Sequence, residues 1–313
     1  MSSSSIGSSS SRGYAAIVLL GIGAVLVATE VLLRWLVVPI EEGWPHRVDL
    51  VYRARGGDVV LGDSHMFRGF VTQDEFVNLA GGGSSGQALE IVAREYFRHR
   101  EPGRVVVAAS PQLFNPARES AGAQQHDEYF GQNFGLPWQL YVFERGIARR
   151  VSWLLDPAAL VQRARQAQRR KRPGNPVDAR LASDMAGLDE AGRLDRARSV
   201  VTKNRPVESL QDAAGFSAYR RMLSSLEARD ARICLVRTPV ISKFEELTRE
   251  APRFVAAHQL LRGLADEFSI PYVDYRELGV VFADELFIDP DHMTATGAER
   301  FSQALVRACF ASR

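Results

Sequence analysis

Cysteine is scarce in this 313-residue chain: Cys234 and Cys309 are the only two. Two cysteines exclude a disulfide-rich scaffold and show no metal-ligand spacing. Each lies in an apolar stretch, so both read as buried, inert thiols that pack as small hydrophobes. Charge of one sign is missing as well. The 39 Lys and Arg nearly balance 37 Asp and Glu, and a formal net charge of +2 gives no reason to expect nucleic acid as a partner. Histidine is limited to six residues. His46, His99, His126 and His258 have no neighbours of ligand type, so no metal site and no cofactor are expected. With 46% hydrophobic and 24% charged residues, the composition is that of a globular protein able to bury a sizeable core. No internal repeat is evident.

The N-terminus departs from this pattern. Residues 1–13 are mostly serine, too polar to bury anything, and read as a disordered tail. No charge occurs from Tyr14 to Thr29, and within residues 14–40 only Glu30 and Arg34 are charged. A bilayer needs roughly 20 apolar residues in helix, so 14–40 reads as a transmembrane anchor. Glu30 and Arg34, four apart on a helix, can pair or reach the interface where Trp35 would sit. A cleaved signal peptide is the rival reading, but the apolar stretch is long and no small-x-small site precedes a polar segment. Arg12 precedes the span and Arg47, Arg53 and Arg55 follow it, a count that leans toward a cytoplasmic domain.

A linker, 41–57, leads to a domain spanning 58–313. Its short apolar runs are expected to be strands: Asp58–Leu61, Phe76–Leu79, Arg104–Ala109, Arg232–Val236 and Pro271–Val273. Ala88, Ile91, Val92 and Tyr96 give Ser84–Arg100 helical spacing, with Ser84 or Ser85 as N-cap. A last helix is expected from about Ala295 to Ala311. Buried strands alternating with helices imply an α/β fold with a parallel five-stranded sheet covered on both faces. In such sheets the working loops lie beyond the carboxyl ends of the strands. Gly62–His65, Gly81–Gly83, Ser110–Gln112 and Arg237–Pro239 therefore share one rim. A helical insertion of about 115–216 interrupts the domain. It carries aromatic residues from Tyr129 to Phe143, then a basic run (Arg163, Arg165, Arg169, Arg170, Lys171, Arg172). That run is either a solvated helix end or a contact for anionic lipid or an acidic polymer.

Chemistry is concentrated at two places. In Val59-Val-Leu-Gly-Asp-Ser-His65 a serine follows a strand directly, on a turn softened by glycine. A serine hydroxyl is a weak nucleophile and needs a base within hydrogen-bond reach. Asp289-Pro-Asp-His292 places an imidazole three residues after a carboxylate, just ahead of the last helix. Asp289 can orient the His292 ring while the other nitrogen faces the serine. The catalytic expectation is therefore Ser64, His292 and Asp289. The bland alternative for Ser64 is a helix cap.

These stretches resemble the SGNH/GDSL hydrolase superfamily. Gly62-Asp-Ser64 is similar to its first block, Asn78-Leu-Ala-Gly-Gly-Gly83 to its second, and Asp289-x-x-His292 to its last. The resemblance implies a three-layer, flavodoxin-like fold. It also implies an oxyanion hole built from the amides of Ser64 and Gly82 or Gly83. The family's third block, Gly-x-Asn-Asp, is replaced here by Ser110-Pro-Gln-Leu-Phe-Asn115, leaving Asn115 or Gln112 as the candidate remaining donor. Ser110-Pro-Gln-Leu-Phe114 is similar to a stretch of the teichoic acid D-alanyl transfer proteins. Asp291 to Phe301 resembles the end of membrane-tethered SGNH proteins that accompany membrane-bound O-acyltransferases. That likeness implies a single-pass protein of the bacterial inner membrane with its catalytic domain extracytoplasmic, against the charge count. It also implies a membrane-bound O-acyltransferase partner and a polysaccharide or glycolipid acceptor.

The expected activity is transfer of an acetyl or short acyl group through an acyl-serine. A hydrolase, either esterase or deacetylase, uses the same residues, and a non-catalytic glycan-binding envelope protein is the reading from a different class. Asp63 is expected to hold loop amides. Asp63, His65, Gln112 and Arg237 are candidate substrate contacts, with an ordinary salt bridge the alternative for Arg237.

Overall fold

A computed structural model describes residues 9–36, 47, 50–51, 54–71, 75–118, 185 and 187–310. The aromatic and basic stretches of the insertion lie outside these residues. The chain divides into two units. One comprises Met1–Glu42 with Asn133–Lys171, the other Gly43–Gln132 with Arg172–Arg313.

In the first unit the described element is helix α1, Ser9–Leu36. It begins inside the stretch read as a disordered tail, because a helix once nucleated propagates readily through an adjoining polar turn. Tyr14, Ile17, Leu19 and Leu20 are exposed on it. Among the described residues no helix is long and apolar enough to cross a membrane.

The second unit is an α/β domain. Strands β1 (Val59–Leu61), β2 (Val77–Asn78), β3 (Arg104–Ala108), β4 (Arg232–Arg237) and β5 (Tyr272–Asp274) form one sheet in the order β2-β1-β3-β4-β5, all parallel. The valine- and leucine-rich runs of β1, β3 and β4 are buried on both faces, most completely in β1, where all three residues are inaccessible, whereas β2 is half-buried. The strand order is compatible with a flavodoxin-like layout, whose direction of growth reverses between β1 and β3. The expected strand positions hold to within two residues at each end.

Among the described residues, the longer helices of this unit are α2 (Ser64–Gly69), α3 (Gly86–Phe97), α4 (Glu190–Lys203), α5 (Ala214–Glu227), α6 (Ser242–Glu250), α7 (Pro252–Glu267) and α8 (Ala295–Phe310). The Ser85 side chain caps α3 by accepting from the Ala88 amide at 3.2 Å. Helices α3 and α5 pack on each other, as do α2 and α8. A short antiparallel hairpin, β6 (Phe287–Asp289) and β7 (His292–Met293), stands apart from the main sheet. The two cysteines are not free thiols. Cys234 in β4 and Cys309 in α8 form a disulfide across 75 residues of sequence. The apolar surroundings correctly implied burial, but sequence distance concealed that the last helix returns to the fourth strand.

Candidate active site

The turn after β1 is built tightly. A Cβ on Gly62 would lie 2.7 Å from the Met66 Cβ and 2.9 Å from the Ala108 Cβ, so only glycine fits between α2 and β3. Asp63 caps α2, its Oδ1 accepting from the His65 amide at 3.1 Å. Ser64 is the first residue of that helix and is partly accessible. Among the described residues its hydroxyl has no hydrogen-bond partner.

The stretch from Asn78 to Ser84 supports this turn from β2. Asn78 Nδ2 donates to the carbonyls of Met66 (3.2 Å) and Phe70 (3.1 Å), while its Oδ1 accepts from Ala80 N. Arg47, from the linker, is buried beneath both blocks. It donates to the Leu79 carbonyl, to Ser84 Oγ at 2.7 Å and to the Gly62 carbonyl at 3.4 Å. Burial lowers its guanidinium to about 9, with nearby Asp63 opposing. The Gly82 and Gly83 amides have no partner among the described residues.

The hairpin β6–β7 shapes the second half. Asp289 Oδ1 accepts from the amides of Asp291 (3.1 Å) and His292 (2.9 Å), which folds the turn around the carboxylate. The same carboxylate meets His292 Nδ1 at 2.8 and 2.9 Å. His292 Nε2 is buried and without a partner among the described residues. This arrangement fixes the Nδ1–H tautomer and leaves a lone pair on Nε2. Burial disfavours charge on His292, but Asp289 and Asp291 outweigh it and raise the ring above its ordinary pKa.

His65 links the two halves. Its Nδ1 lies 2.8 Å from Asp63 Oδ1 and its Nε2 lies 2.9 Å from Asp291 Oδ2. Its ring stacks on that of His292, with centroids 5.1 Å apart and planes 7° from parallel. Burial would discharge His65, but the two carboxylates hold it up to about 10. Burial would likewise raise Asp63 and Asp291. Their partners prevail: His65 and Arg118 hold Asp63 down, and His65 and His292 hold Asp291 well below the usual carboxylate range. His65, Asp291 and His292 can also bring one ligand atom each within 4.8 Å of one another. A metal there would have to displace Asp291 from His65, whose two nitrogens are already engaged by carboxylates.

Three expected contacts are committed elsewhere. Both amide hydrogens of Asn115 are used, by the carbonyls of Lys203 (2.9 Å) and Arg205 (3.0 Å). Asn115 therefore clamps the two ends of the insertion and offers no N–H to an oxyanion. The Ser110 hydroxyl lies 3.0 Å from Asp63 Oδ2 and 2.7 Å from Gln112 Oε1, which turns Gln112 toward the Asp63 network. Arg237 pairs with Asp274 at 3.2 Å and with Glu245, the ordinary salt-bridge alternative. Gln112 and Arg237 also line a cavity of about 20 Å³ beside His258, room for one water.

Asp291, Arg118 and Asn204 belong to the site although no motif assigned them a role. Asp291 opens the last matching stretch with no role of its own assigned by the pattern, and the other two are separated by 86 residues. No protein-family profile matches the chain, and no curated protein is similar to it in sequence.

Proposed function

We propose that this is a membrane-anchored serine acyltransferase that places an acetyl or short acyl group on a cell-envelope polysaccharide or glycolipid. The observation that carries the reading is the Asp289–His292 pair, with a buried, unpartnered Nε2 next to the turn that begins α2. Ser64 Oγ attacks the acyl carbonyl and gives its proton to His292 Nε2, which passes it to the leaving group. The acyl group is then an ester on Ser64. His292 next takes the proton of the acceptor hydroxyl, which attacks the ester, and that proton returns to Ser64 Oγ. Asp289 keeps the tautomer fixed throughout. The amides of Ser64, Gly82 and Gly83 serve the oxyanion, and no side-chain donor from Asn115 joins them.

Two features support an extracytoplasmic catalytic unit tethered to a membrane. The uncharged run from Tyr14 to Thr29 lies within α1, and disulfides persist in oxidising compartments. A membrane-bound O-acyltransferase would supply the acyl group from within the bilayer. Intact-mass measurement after exposure to an activated acyl donor tests the chemistry. The wild-type chain should gain one acyl unit and Ser64→Ala none, and added sugar acceptor should discharge the adduct faster than water alone. Equal labelling of the two chains sinks the proposal.

A further inference from the structure

The hydrogen bonds around Asp63 and Asp291 close into a ring. Arg118 donates to Asp63 at 3.3 Å, Asp63 holds His65 Nδ1, and His65 Nε2 meets Asp291. Asn204 completes the circuit, donating to Asp291 at 3.3 Å and accepting from Arg118 at 3.3 Å. Both nitrogens of His65 face carboxylate oxygens in a fully buried setting. A neutral imidazole has one N–H, so one nitrogen would turn a lone pair toward an anion; only the doubly protonated ring satisfies both. With His65 charged, the two cations and two carboxylates of the ring cancel, and Arg47 adds its field at Asp63.

His292 is packed directly on this ring. The charged groups facing it are Asp289 from β6, Asp291 from the hairpin turn and His65 from α2. The two carboxylates favour an imidazolium, and an imidazolium cannot take the proton of Ser64. A second positive charge beneath the ring opposes them.

We propose that His65 is a positioning residue: a standing imidazolium whose charge opposes the two carboxylates beside the stacked His292 and so widens the pH range in which that ring is a neutral proton acceptor. The role rests on the reading of His292 as the base for Ser64. Asp63, Arg118 and Asn204 hold the cation in place, and this requirement accounts for a histidine directly after the nucleophile.

The test is the pH dependence of fluorophosphonate labelling of Ser64 in the full-length chain. Labelling forms the oxygen–phosphorus bond, expels fluoride and needs neutral His292 to accept the serine proton. Removing a charge about 5 Å away in His65→Gln should move the acidic limb upward by about one to two pH units, with labelling recovered at higher pH. Asp291→Asn removes an anion and should move the limb the other way. A purely structural role lowers the rate at every pH and leaves the limb in place. Because His65→Gln leaves two buried carboxylates short of a partner, the wild-type chain provides a second readout. With ¹⁵N-labelled histidine, one ring should show both nitrogens protonated at pH 8, in a signal absent from His65→Gln or, if that chain does not fold, assigned through its coupling to neighbours. A limb unmoved by both substitutions, or a His65 ring neutral at pH 8, overturns the role. Labelling that survives Ser64→Ala or His292→Gln instead overturns the underlying reading of the site.

Discussion

At the scale of single residues, the ring around His65 couples protonation to folding. The native state raises this ring from its ordinary 6.5 to about 10, against the burial that opposes it. Between those two values the folded chain holds a proton that the unfolded chain releases. The resulting stabilisation is complete below pH 6.5 and is lost as pH climbs through 10. Asp63 and Asp291 are shifted down, so their contribution is complete above the ordinary carboxylate range and is lost as pH falls below it. Burial lowers His258 to about 3, so below pH 6.5 the unfolded chain gains a proton that the folded chain refuses, and the α/β unit should thus be most stable near pH 6.5. Thermal unfolding of the full-length chain from pH 4 to pH 10 checks this, with an alkaline loss on the order of several kcal/mol. An alkaline slope that is the same in His65→Gln would show that His65 is not its source. The Asp289–His292 contact and the strand–turn–helix around Ser64 were legible because each stands in a short local pattern. The ring was not, because it joins positions 63, 118, 204 and 291, and side-chain pairing over such distances leaves no periodic trace. Asn115 was misjudged for the same reason: its carbonyl partners lie almost ninety residues downstream.

At the scale of elements, burial explains what the pattern revealed. Strands β1, β3 and β4 are largely inaccessible runs rich in Val, Leu and Ile and bounded by turns, β2 and β5 are short and partly accessible, and α3 and α8 carry amphipathic spacing. The hairpin β6–β7 is too short for any period to register, and α6 and α7 are divided only by Ala251–Pro252, where proline begins the second helix. The sheet is covered by α3 and α5 at a close approach that sequence alone does not disclose. A Cβ placed on Gly86 would lie 2.1 Å from the carbonyl oxygen of Gly215 and 3.2 Å from the Phe114 ring. Gly86→Ala must therefore push α5 away from α3, at a cost of about 1–3 kcal/mol for overpacking. A lower denaturation midpoint with unchanged slope in urea is the expected result. Gly82→Ala, where a Cβ meets nothing, is the control; equal stability of the two variants would show that the helices separate freely.

At the scale of the whole molecule, the Cys234–Cys309 bridge bears on both stability and compartment. It closes a 75-residue separation and fixes the last helix, which packs against α2, to a central strand. A loop of that length corresponds to about 4 kcal/mol of stabilisation in the chain-entropy treatment. For a unit of this size, each kcal/mol moves the midpoint by about 2–4 °C. Reductant, or Cys234→Ser with Cys309→Ser, should therefore lower the melting temperature by on the order of 10 °C. The chemical state of the same pair in cells tests the topology. An α/β unit outside the cytoplasm matures where disulfides form, whereas a unit inside meets reducing thiols. When the full-length chain is acid-quenched from cells and treated with a maleimide of high mass, neither cysteine should react until reductant is added. Two free thiols in that experiment would return the α/β unit to the side favoured by Arg47, Arg53 and Arg55, and would remove the envelope polysaccharide as its proposed acceptor.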